Sequence, residues 1–96
     1  MDVEQEIKDK GLTAPRVTPA LVEAAIVGEY YHIPPNTTLT LCVLTLKNGF
    51  TVTGESACAS PENFNKELGE RIARDNAKNK IWALEGYALR NELSKG

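Results

Sequence analysis

An Asn-Gly pair at residues 48–49 lies between two runs rich in β-branched and apolar residues. These are Thr38-Leu-Thr-Leu-Cys-Val-Leu-Thr-Leu46 and Phe50-Thr-Val-Thr-Gly-Glu-Ser-Ala57. Asn and Gly both tolerate the positive φ of a type I′ turn, so the chain can reverse in two residues and form a β-hairpin. That loop sets Cys42 opposite Glu55 and Leu39 opposite Cys58. It gives Leu39, Leu41 and Val43 a common face with Phe50, Val52 and Cys58. A three-residue loop with a G1 bulge at Gly49 instead puts Phe50 and Val52 beside Leu44 and Leu46. In either register one face is apolar enough to need a cover.

With 96 residues, 42% of them apolar, the chain suits one domain with a small core and is too apolar for disorder. Apolar burial between subunits would add to the stability of so small a core. Eleven basic and 13 acidic side chains give a net charge of −2. That balance argues against non-specific binding to duplex DNA or to an anionic membrane, and leaves room for a small anion held by local cations. In the two-residue register Cys42 and Cys58 point to opposite faces, so no disulfide is expected, and no histidine stands near to complete a zinc site. The opening residues, Met1-Asp-Val-Glu-Gln-Glu6, are acidic where a signal peptide is basic, and no apolar run approaches a membrane span. The expected location is the cytosol, with reduced thiols.

Residues 1–17 read as a flexible N-terminal arm and residues 18–96 as a single domain. Thr18-Pro19 opens a helix, threonine capping it and proline in the first turn, where its missing N–H costs nothing. Leu21, Val22, Ala25, Ile26 and Glu29 continue it at helical spacing until Pro34-Pro35-Asn36. After the hairpin, Ser60-Pro61-Glu62 repeats the start signal, and Phe64, Leu68, Ile72, Ala73 and Ala77 mark a buried face. Asn76, Lys78, Asn79 and Lys80 dilute that stripe. Ile81, Trp82, Leu84, Tyr87, Ala88 and Leu93 begin another with shifted phase, which predicts a break near Asn79–Trp82. Gly86 within the second segment predicts close packing there. The fold class is α+β: a small antiparallel β-hairpin sheet with an N-terminal helix and two C-terminal helices. Two strands alone are marginal, so the sheet is expected to be extended by the arm or by a second subunit.

Few residues suggest chemistry. His32, the lone histidine, has no serine, cysteine or carboxylate placed near it by sequence, and reads as a surface or packing residue. Cys58 near Ser56 and Ser60 reads as a small side chain at a strand end. Gly49 and Gly54 do not form a phosphate-binding pattern. Arg71, Arg74 and Lys78 share one side of a helix, with Lys80 nearby, and could meet phosphate oxygens. The competing reading is a solvated ladder of Glu67–Arg71 and Glu70–Arg74 pairs. Phe50, Tyr30, Tyr31, Trp82 and Tyr87 suit a core at least as well as base stacking.

Several separate motifs carry a resemblance. They are Asn48-Gly-Phe-Thr-Val-Thr-Gly-Glu-Ser-Ala-Cys58, Ser60-Pro-Glu-Asn-Phe64, Gly69 with Ala73 and Ala77, and Lys80-Ile-Trp-Ala-Leu-Glu-Gly-Tyr-Ala-Leu-Arg90. Across residues 18–93 the chain resembles the phage gene-product-49/gene-66 family of small tailed-phage proteins. That group is similar to the Thoeris anti-defence sponges, which bind cyclic ADP-ribose signals and withhold them from their effector. The resemblance implies a strand-rich N-terminal part, two C-terminal helices, pockets at a dimer interface, and assembly as a dimer or as a hexamer built from three dimers. It also implies binding without catalysis and without a cofactor. A cyclic ADP-ribose isomer or other cyclic nucleotide asks for arginine, an aromatic ring and amides. By residue type, Arg71, Arg74, Phe50, Asn63 and Asn76 are the candidates. The alternative is a phage protein that inhibits a host protein through exposed apolar surface.

Overall fold

The computed structural model describes residues 3–11 and 14–95. Two short helices, α1 (Val3–Asp9) and α2 (Pro19–Ala24), precede the strands β1 (Ile26–His32), β2 (Leu39–Leu46) and β3 (Thr51–Ala57). A 3-10 turn (Pro61–Asn63) then leads into one long helix, α3 (Lys66–Lys95). The strands form a single antiparallel sheet in the order β1-β2-β3, and the class is α+β. Of the N-terminal arm, residues 1, 2, 12 and 13 lie outside the described residues. The rest includes α1, which buries no side chain and is linked to Arg16 by an ion pair from Glu4 (2.8 Å). Among the described residues, no helix is long and apolar enough to cross a membrane.

The hairpin closes with the three-residue loop. Leu46 N donates to Phe50 O (2.8 Å), Gly49 N donates to Leu46 O (2.9 Å), and Gly49 carries the positive φ of 89°. This overturns the two-residue register: Cys42 faces Gly54 rather than Glu55, and Leu39 faces Ala57 rather than Cys58. Both cysteines are free thiols. The even-numbered residues Thr40, Cys42, Leu44 and Leu46 therefore join Val52 in the core, and Leu39, Leu41 and Val43 point to the other side.

Thr18 caps α2 as its sequence predicts, its Oγ1 accepting from Leu21 N at 3.1 Å. The helix does not run on toward Pro34, however. It ends at Ala24, and Ala25 O accepts from Lys47 N (3.0 Å), steering the chain into the sheet. Ile26 to His32 then pair with β2, with a bulge between Ile26 and Gly28. β-branched and aromatic residues at 26, 27, 30 and 31 suit a pleated surface, and pairing with an apolar strand outweighs the helical spacing of the preceding residues. The third strand thus comes from the chain itself.

Ser60 does not start α3. Pro61–Asn63 makes a single 3-10 turn, and Asn65 is the effective cap, its Oδ1 accepting from Leu68 N at 2.9 Å. The expected break at Asn79–Trp82 is also absent, so two C-terminal helices become one of 30 residues. Gly69, Ala73, Ala77 and Ile81 recur every four residues along the side that meets the sheet, and the polar residues at 76, 78, 79 and 80 fall to its flanks. Small residues let the helix sit very low. A Cβ added at Gly54 would stand 2.2 Å from Ala77 N and 2.3 Å from Ala73 O. Val22, Ala25, Cys42, Leu44, Leu46, Val52, Ala73, Ala77 and Ile81 complete the core. Gly86, expected to mark close packing, has nothing within 4 Å of an added Cβ.

Candidate functional site

The flanks of α3 separate the candidate side chains. Toward α2 and β1, Arg74 forms a bidentate pair with Glu23, and its Nε lies 3.2 Å from Glu29 Oε1. Lys78 Nζ is 3.6 Å from Glu23 Oε2, and the Tyr31 hydroxyl donates to Glu29 Oε1 at 2.7 Å. Hydrogen bonding by Arg74 holds the Glu23 carboxyl below its ordinary value. The Tyr31 hydroxyl, then Arg74, does the same for Glu29. Burial, reinforced by Glu29, pushes the Tyr31 phenol up, and burial also raises the Cys42 thiol. Two cations here face two carboxylates, so a phosphate would have to displace Glu23 and Glu29 to reach Arg74. The local Glu70–Arg74 pair expected from spacing does not form; partners from other elements take its place.

Arg71 lies one turn earlier, is exposed, and makes no hydrogen bond or ion pair among the described residues. Its expected pair with Glu67 is not formed. On the opposite flank, Asn76 Nδ2 donates to Glu55 O at 2.9 Å. Asn76 also lines a depression of about 310 Å³ with Thr53, Glu55 and Lys80. Asn63 opens onto a smaller cleft of about 130 Å³ beside Ser56, Phe64, Asn65 and Gly69, at the start of α3. Phe50 stands at the other end, in a cleft of about 320 Å³ with Ala25, Leu46, Lys47, Leu84 and Ala88.

The five candidates are therefore not gathered in one pocket. The helix rise separates the Asn63 cleft at Leu68 from the Phe50 cleft at Leu84 by about 24 Å, farther than one small nucleotide reaches. Lys47 and Asn48, beside Phe50, are polar groups that residue typing passed over. Their position in a turn loop flanking an aromatic was the available signal. His32 is exposed at the end of β1, and Cys58 Sγ donates to Ser60 O (3.4 Å). Neither meets a catalytic partner among the described residues. Among the described residues, no three His, Cys, Asp or Glu side chains are grouped to hold a metal ion.

No curated protein and no solved structure matches this chain. The phage protein (N4 Gp49/phage Sf6 gene 66) family matches it over residues 17–93, from the entry to α2 to the last turn of α3. A match of that extent spans the sheet, the 3-10 turn and nearly all of α3, and the chain belongs to this phage protein family.

Proposed function

We propose that this phage protein binds and sequesters a cyclic ADP-ribose-type or other cyclic nucleotide signal, without cleaving it, as a homo-oligomer in the host cytoplasm. One observation carries the reading: Arg71, Phe50 and Asn63 are exposed and not committed to holding the fold together. They supply a cation, a ring and an amide, the groups such a ligand needs. Their separation on one chain suits a pocket shared between two copies. Asn76 can serve the same ligand from the β3 side. Arg74 fits less well, because its guanidinium already holds two carboxylates.

Incubation with a panel of cyclic nucleotides, followed by heat release, should return the bound signal intact. In calorimetry, Arg71→Ala should weaken binding about tenfold to a hundredfold, the loss of one charge-assisted contact. Absence of heat with every cyclic nucleotide would reject the reading. Inhibition of a host protein would then take its place. The observation favouring that second reading is the exposed apolar side of α3, where Tyr87 is 72% exposed and Leu93 47%.

A further inference from the structure

β3 is an edge strand, paired on one side only. Leu46 N donates to Phe50 O, so the alternation of an antiparallel ladder makes Leu44–Val52 and Cys42–Gly54 bonded pairs. The N–H and C=O groups of Thr51, Thr53 and Glu55 therefore point away from β2. Asn76 takes up Glu55 O, and among the described residues no hydrogen bond takes up the others. α3 runs antiparallel beside this edge: Gly69 lies over Thr40, the partner of Ser56, and Ala77 over Gly54. Together they form a groove. Ser56, Leu68 and Ile72 line one end of it, and Thr53, Glu55, Asn76 and Lys80 the other. We infer that this groove takes an extended peptide segment of another protein as an added strand, antiparallel to β3, with an apolar residue at Leu68 and Ile72 and a carboxylate at Lys80.

Backbone, spacing and charge all select this occupant. Unpaired N–H and C=O groups that recur at every second residue match another extended backbone. The opposite wall has the same repeat. Leu68, Ile72, Asn76 and Lys80 follow at intervals of four and share one flank of α3. Ile72 and Lys80 stand about 12 Å apart along the helix, and four residues of a strand span about 13 Å. Alternate side chains of the peptide thus meet the apolar pair, Asn76 and Lys80 in turn, with the apolar residue four before the carboxylate. Leu68 is 45% and Ile72 41% exposed, and Lys80 makes no ion pair among the described residues, with Glu55 or any other carboxylate. Asn76 Oδ1 remains to accept from a hydroxyl between them, since its Nδ2 is committed to Glu55 O. The free edge of β1 differs on each count. A bulge interrupts it between Ile26 and Gly28, and the cations of that flank, Arg74 and Lys78, are held by Glu23 and Glu29. The docking site lies away from Tyr87 and Leu93 on α3 and does not rest on the nucleotide reading.

The probe is a synthetic peptide with leucine, serine and glutamate at alternate positions, in that order, and threonine between them and at both ends. In fluorescence anisotropy it should bind the full chain with a Kd below about 1 mM. Lys80→Glu should weaken binding about tenfold or more, and a peptide with lysine in place of its glutamate should restore it to that variant. N-methylation of a peptide amide that faces β3 should abolish binding, and methylation of the next amide should leave it. Hydrogen exchange reads the edge itself. The Thr53 amide should exchange fast in the free protein, and the peptide should slow it about tenfold or more. Absence of binding below that Kd, equal loss from both methylations, or a charge swap that restores nothing would overturn the inference. So would a Thr53 amide already protected in the free protein, since a second copy would then hold the edge. Should Lys80→Glu fail to fold, the methylated peptides decide alone.

Discussion

Thr40, Cys42, Leu44 and Leu46 lie beneath α3, none more than 6% exposed, while Leu39, Leu41 and Val43 on the same strand stay half-buried on the opposite face. The side chains on the two faces differ little in hydrophobicity, so apolar character alone does not select the core face. Backbone access does. On the even-numbered face Gly54 leaves a notch, and Ala73 and Ala77 present a helix surface shallow enough to enter it. The odd-numbered face has Thr53 and Glu55 in the equivalent places, and their side chains would hold a helix off. The inner face is thus closed by small residues fitted to one another, and the outer face sets Leu39, Leu41 and Val43 between Thr53 and Glu55 of β3 and Tyr30 and His32 of β1.

The contrast can be broken most severely at the notch. Gly54→Ala should cost about 3 kcal/mol in urea denaturation, and Gly54→Val should prevent folding. The added carbons meet helix backbone, which can yield only by lifting α3. A second comparison stays within β2. Leu44→Ala should destabilise the fold by about 2–5 kcal/mol, whereas Leu41→Ala should cost less than about 1 kcal/mol. Equal losses at the two positions would mean that both faces contribute alike to the monomer.

The third comparison concerns the polar flank. Arg74→Met should cost about 1 kcal/mol, because the cluster is partly solvated and screened. Glu23 and Glu29 have folded-state values lowered from the ordinary 4.5. The stability they add is therefore present above 4.5 and is lost as the pH falls through their lowered folded values. The unmodified protein should lose more stability than Arg74→Met over that acid range, and parallel pH profiles of the two would contradict the assignment. The smallest effect is expected where α3 has left the sheet. Gly86→Ala should raise stability by about 0.5–1 kcal/mol, since the site is open and alanine is the better helix former.

Local signals in the chain were reliable where a few adjacent residues settle the geometry. The turn at Asn48-Gly49, the Thr18 cap and the α+β class could all be read directly. The end of α2 could not. Leu21, Val22, Ala25 and Ile26 satisfy helical spacing, and only a neighbouring strand with free edge groups makes Ile26–His32 the better ladder. The unbroken α3 was hidden for a related reason. Asn76, Lys78, Asn79 and Lys80 look like a break until Ala73, Ala77 and Ile81 are seen to continue one stripe on the sheet. Of the candidate site, the residue types were legible and their arrangement was not. Arg74 is tied to Glu23 and Glu29, which lie 51 and 45 residues away in sequence.

By itself, then, the sequence determined where this chain reverses, where α2 is capped, and that helices cover a small antiparallel sheet. These follow from the φ preferences of Asn and Gly, from side-chain caps and from apolar content, all of which act over a few residues. Tertiary structure alone decided the register of the hairpin, the face that became the core, and which arginine remained free. The two hairpin loops both suit Lys47-Asn48-Gly49. One of them sets Gly54 and Val52 on the face with Leu44, where α3 can descend to contact, and packing against that helix settles what the turn leaves open.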